Sequence, residues 1–180
     1  MIMNEDVRDL IDDWDSIYQG YYLGDEEEID AVVTRCADRL EEARATHGAG
    51  SPEVAFPALG LVLMYGHVMW HSAPGVADRA AASLRAVAAD GAGAPCDHAG
   101  HPSDQGLGIG PLEAFPTALE LFADPGSEDV SWDELHQWPG PDGDELPLSE
   151  LEAHWRCPRT VAGFASAAAE AIRPATPADA

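Results

Sequence analysis

The chain has 180 residues, with 33 acidic and 9 basic side chains and a formal net charge of −24. That balance excludes binding to a phosphate backbone or an anionic membrane through a basic surface, because like charges repel. The length fits one domain, and a hydrophobic content of 46% is enough to form a core. All nine bases are Arg, which together with heavy use of Ala, Gly, Pro and Asp points to a GC-rich bacterial genome. Alanine lowers the apolar volume per residue, so the core is expected to lean on the five Trp, four Phe and four Tyr.

The acid is unevenly spread. Residues 1–50 hold 14 acids and 4 Arg, residues 51–90 only 3 acids and 2 Arg, and residues 91–180 hold 16 acids and 3 Arg. A near-neutral centre is thus flanked by two acidic regions, which suits either a solvated surface or a face complementary to a basic partner.

Val7, Leu10, Ile11, Trp14, Ile17, Tyr18 and Tyr21 recur at three- and four-residue spacing, predicting an amphipathic helix over 5–19 with Asp9, Asp12, Asp13 and Asp15 facing water. Asp25, Glu26, Glu27 and Glu28 resemble a capping box, with Asp25 as N-cap, and they complement the dipole of a second helix. Its apolar face is Ile29, Val32, Val33, Cys36, Leu40 and Ala43. Ser51 and Pro52 mark the start of a third helix, apolar nearly all round and running to about His71, with Pro57 arguing for a later start. A fourth helix begins at Pro74 and closes at Gly91.

Residues 91–111 are too long and Gly-rich for an ordinary helix connection. Such a loop is either disordered or organised by something other than apolar packing. Helical spacing returns at Leu112, Phe115, Leu119 and Phe122. Ser131 to Glu134 opens a further single turn, and 138–143 reads as loop. Ser149 to Trp155 is a short helix broken at Cys157-Pro158, and Arg159 to Ile172 is the last helix, burying Val161, Phe164, Ala168 and Ile172. The expected fold is therefore all-α: an irregular bundle of six to seven helices with long Gly/Pro-rich loops around 91–111 and 124–148. It forms a single domain over 1–173, with helical halves 1–90 and 112–173 joined by the 91–111 loop, and a disordered tail at 174–180. A short hairpin within 100–148 is the one departure the pattern allows.

The densest cluster of ligand-type side chains is Cys96, His98 and His101, flanked by Pro95 and Pro102. Thiolate and imidazole are the preferred donors of Zn²⁺, which takes four of them tetrahedrally. A metal would also explain how a loop with few apolar residues stays folded. Cys157, at its own Pro-marked break, is the best fourth ligand, with His154 and His136 as alternates. Four protein ligands would make the site structural. Three would leave a position for water and permit a zinc-dependent enzyme. His67 and His71, four apart on the expected central helix, lack the Glu of a metalloprotease pattern and read as core or groove-lining residues. Cys36, Cys96 and Cys157 make no disulfide framework, and the first residues carry no secretory pattern, so a cytoplasmic setting is expected.

Trp132 and Trp138 lie among Pro, Gly and acids, where an exposed indole could anchor a basic partner. With Asp9, Asp12, Asp13, Asp25, Glu26 and Glu27 they form the candidate partner-binding set. In this general character, carried by the Asp9–Asp15 acids and the Asp25–Glu28 run, the chain resembles bacterial toxin-immunity (antitoxin-like) proteins. The resemblance implies a non-enzymatic protein that covers the active surface of a basic toxin. The other two readings are a zinc-dependent enzyme and a helical adaptor with a structural zinc.

Overall fold

The computed structural model describes residues 26–67, 71–107, 140–143 and 146–172. These form five α-helices, with no strand among the described residues: α1 (Glu26–Thr46), α2 (Pro52–Val62), α3 (Pro74–Ala92), α4 (Leu148–Arg156) and α5 (Pro158–Ala171). The helices expected at 5–19, 112–122 and from Ser131 lie outside the described residues, as do Asp25 and the 174–180 tail. None of the described helices is long and apolar enough to cross a membrane.

The expected apolar face of α1 is buried residue for residue, with Ala37 added. In α2 every residue from Val54 to Val62 is buried, as a helix at the centre of a bundle must be. Around it, α1 packs on α2 and α3, and α5 packs on α2 and, most extensively, on α3. Polar pairs give the direction of α1 and α3. Asp30 accepts from the Ala73 backbone N–H, Arg79 reaches Asp38 and Glu41, and Arg44 meets Asp90 at 2.7 Å. Residue numbers rise together along both helices, so the two run parallel, with α2 returning between them.

The central helix starts where Ser51 and Pro52 mark it and ends earlier than expected. Helix α2 starts at Pro52 despite Pro57. The missing N–H at Pro57 costs one bond, to the Glu53 carbonyl in the first turn, and nine successive buried residues outweigh it. At the other end, regular α-helix stops at Val62 and widens into a π-turn over Leu63–His67. The Tyr65 hydroxyl lies 2.6 Å from the Ser72 hydroxyl. His71 is exposed and outside any helix, so His67 and His71 are not a pair on one helix face. Burial pushes the Tyr65 phenol up to about 12, so it stays a neutral hydrogen-bonding group.

Among the described residues the core combines a few aromatics with many small aliphatic side chains. Phe56, Tyr65, Trp155 and Phe164 are buried, and Trp155 stacks on Phe164 with ring centroids 5.8 Å apart. Most of the cluster, however, is Leu, Val and Ala. Small residues let helices approach closely. Ala77, Ala80 and Ala81 of α3 and Ala162, Ala165, Ala168 and Ala169 of α5 are all buried.

Gly91 is the extreme of this close approach. It lies inside α3, not beyond its end. A methyl group there would stand 2.4 Å from the Pro158 carbonyl oxygen and 3.0 Å from the Ala162 side chain. Alanine is worth about 1 kcal/mol more than glycine in a helix interior. Gly91→Ala is nevertheless expected to lower the unfolding free energy by about 1–3 kcal/mol, through overpacking against a backbone that cannot yield. Chemical denaturation reads the difference, and a midpoint equal to or above the parent protein's would contradict the close approach.

Candidate metal centre

The segment after α3 offers few apolar side chains, yet it is laid along the first turns of α5. Arg159 donates to the Ala94 carbonyl at 3.0 Å. His101 Nδ1 lies 2.9 Å from the Thr160 hydroxyl. Gly163 lets the single 3₁₀ turn Pro102–Gln105 approach, since a methyl group at Gly163 would stand 2.6 Å from Ser103 Oγ. The turn itself is closed by Asp104, whose carboxylate accepts the His101 backbone N–H at 2.8 Å. Residues 94, 101 and 103 thus meet 159, 160 and 163 in order.

This alignment gathers Cys96, His98, His101 and Cys157. One donor atom from each lies within 4.8 Å of all the others, and such a group could hold a metal ion. Cys157 comes from the break between α4 and α5, where it is the residue before the Pro158 that starts α5. The other three come from the loop. Cys96 Sγ stands 3.8 Å from His101 Nε2 and 3.1 Å from Cys157 Sγ. A tetrahedral zinc site has S···N edges of about 3.6 Å and S···S edges of about 3.8 Å, from its bond lengths of about 2.3 and 2.05 Å. A disulfide would require about 2.05 Å. The sulfurs are therefore unbonded and need to part only slightly to admit an ion.

Two further observations fit a metal. His98 Nδ1 is buried without a hydrogen-bond partner among the described residues, an arrangement that is costly unless something else engages the imidazole. His101 directs Nε2 to the cluster and Nδ1 to Thr160, which is 0% exposed. With Nε2 free to coordinate, Nδ1 carries the proton and donates to the Thr160 hydroxyl, fixing tautomer and ring orientation.

The electrostatics point the same way. Burial, assisted by His98 and Arg159 and opposed by Asp104, holds the His101 imidazole below its ordinary range. Burial and then His98 do the same to His154. Both rings are thus neutral at neutral pH, and His101 is ready to act as a ligand. Burial pushes the Cys157 thiol up, and the adjacent Cys96 adds to this. The Thr160 and Arg159 amides pull it back in part. Two neighbouring thiols ionise together only when a cation compensates them.

All four first-choice ligands of the sequence reading are brought together. His154, named as an alternate, is 8% exposed and stacks on His98 with ring centroids 4.0 Å apart, so it packs against a member of the cluster. His136, Trp132, Trp138, Asp9, Asp12 and Asp13 lie outside the described residues. Glu26 and Glu27 are exposed at the start of α1. An open cleft of ≈ 320 Å³ flanks the cluster on its His98–His154 side, with Asp97, Asp142 and Glu150 on its walls. Sequence reasoning missed Thr160 and Gly163. Their signal was positional: three and six residues after Cys157, they fall on the first turns of a helix that begins at the ligand.

No family model matches the chain, and no curated protein or solved structure matches it.

Thr160→Val removes the hydroxyl at nearly constant volume. It is expected to weaken zinc binding about 10- to 100-fold in competition with a chromophoric chelator, the usual effect of losing the group that orients a ligating imidazole. Thr160→Ser should restore most of the affinity. Equal affinity in all three proteins would show that Thr160 does not orient His101.

Proposed function

We propose that the protein is a zinc-stabilised helical binding module that presents an acidic surface to a basic protein partner. Bacterial immunity proteins are the class whose general character it shares. The observation that carries this reading is the four-side-chain cluster of Cys96, His98, His101 and Cys157. Four protein donors fill a tetrahedral zinc and leave no position for a reacting water, the mark of a structural site rather than a hydrolytic one. Zinc held there ties the loop after α3 to the start of α5 and adds its binding free energy to folding. Cysteines outside any disulfide and a thiolate-bound zinc suit a reducing, cytoplasmic setting.

The acidic half of the proposal rests on charge. A net −24 is far beyond what solubility of a small domain needs. Such a surface accelerates and orients encounter with a basic partner. The Asp97, Asp142 and Glu150 carboxylates around the cleft put part of that charge beside the metal cluster.

Two measurements test the two halves separately. Protein purified without a metal-affinity tag is expected to contain zinc in near-stoichiometric amount. Its removal by a chelator should lower the melting temperature by about 10 °C or more, as loss of several kcal/mol from a domain of this size requires. Less than about 0.2 equivalents of any transition metal would remove the zinc from the proposal. For the partner, a pull-down is expected to recover a basic protein, and titration against it to give a dissociation constant that rises about tenfold or more between low and physiological-to-high salt. Tight binding indifferent to salt would contradict an acid-driven interface.

A further inference from the structure

We propose that Cys96 and Cys157 form a site of reversible oxidation, which closes to an intramolecular disulfide under a hydroperoxide and expels the metal. The expulsion rests on the zinc reading above; the disulfide does not.

The two sulfurs are 3.1 Å apart, although the residues are 61 positions apart in the chain. Closing the bond needs an approach of only about 1 Å, to the disulfide length of about 2.05 Å. Cys96 lies on a loop and is half-buried, so a small oxidant reaches it, whereas Cys157 is 4% exposed. The His98 backbone N–H donates to Cys96 Sγ at 3.4 Å and helps to hold the sulfur in place. The third cysteine, Cys36, is 0% exposed on α1 and takes no part in the cluster. One accessible sulfur and one shielded sulfur within reach of it form an attacking and resolving pair.

The steps balance. The Cys96 thiolate attacks the distal oxygen of the hydroperoxide. An S–O bond forms and the O–O bond breaks. The other oxygen leaves as hydroxide or alkoxide and takes up a proton, leaving Cys96 as the sulfenic acid. The Cys157 sulfur, giving up its proton where no metal holds it, then attacks Cys96 Sγ. The S–S bond forms and the S–O bond breaks, and hydroxide leaves as water after protonation. Two electrons pass from the sulfur pair to the peroxide. A metal that has lost both thiolates keeps only His98 and His101, too few donors to hold zinc tightly. The new bond links the same two segments that the metal linked, so oxidation removes the ion while the loop stays tied to α5. A dithiol reductant reverses the reaction by thiol–disulfide exchange.

The experiment treats the full-length protein, metal-loaded and metal-free, with hydrogen peroxide. Disulfides are mapped by mass spectrometry under non-reducing conditions, and released zinc is followed with a chromophoric chelator. The expected result is a Cys96–Cys157 cross-link in both preparations, with Cys36 unmodified. In the loaded protein, the bound zinc should be lost in step with the cross-link and rebound after reduction. Over-oxidation of Cys96 to sulfinic acid without a cross-link would overturn the proposal. So would a cross-link to Cys36, or one between chains. Cys157→Ala, which keeps Cys96 but removes the resolving thiol, should accumulate sulfenic or sulfinic acid at Cys96. If the protein as purified contains no zinc, the structural-zinc reading fails while the cross-link is still scored. If zinc is present and no cross-link forms, the oxidation proposal fails and the zinc reading stands.

Discussion

The approach of a polar, glycine-rich segment to the first turns of α5 is the contact on which the rest of the site depends. Residues 93–106 contribute almost nothing to the apolar core, whose cluster ends at Val87 and Ala88 on one side and resumes at Leu107 on the other. A segment of that kind cannot offset its ordering entropy by burial. What holds it is a row of contacts: the Arg159 hydrogen bond to Ala94, the cluster at Cys96, the Thr160 contact with His101, and the close approach of Ser103 to Gly163. Each contact ends on α5 or on Cys157, the residue just before it. Were that helix to shift, it would carry Cys157 away from the three donors of the loop.

The helix itself is held by packing that demands small residues. Gly91 lies under the Pro158 carbonyl, and the alanines of α3 and α5 face one another. This seats the start of α5, and therefore Cys157, against the end of α3, from which the Cys96 loop departs. The short path from Gly91 to Cys96 then leaves the loop little choice of direction. Packing of the bundle and assembly of the donor cluster are two consequences of one helix–helix approach.

Much of this was legible in the residue pattern. The periodicity of Ile29 to Ala43 identified the buried face of α1, and the unbroken apolar run after Ser51 marked α2 as central. Ligand chemistry alone, with no standard zinc-finger spacing, was enough to join Cys96, His98 and His101 to Cys157. What the pattern did not carry is instructive. Pro57 argued for a later helix start, but burial of nine successive residues outweighs one lost hydrogen bond. His67 and His71 share a helix face only if the helix runs through both, and His71 is already outside it. Gly91 read as a helix stop because glycine is the usual terminator, whereas its role here depends on a neighbour 67 residues away that no local pattern contains. Thr160 is likewise visible only once His101 has been placed beside it.

The central claim is that Cys96, His98, His101 and Cys157 jointly hold one zinc ion, and X-ray absorption at the zinc edge tests it most directly. The account predicts two sulfur neighbours at about 2.3 Å and two imidazole nitrogens at about 2.0–2.1 Å. A coordination sphere without sulfur, or with a single sulfur and several oxygens, would contradict it.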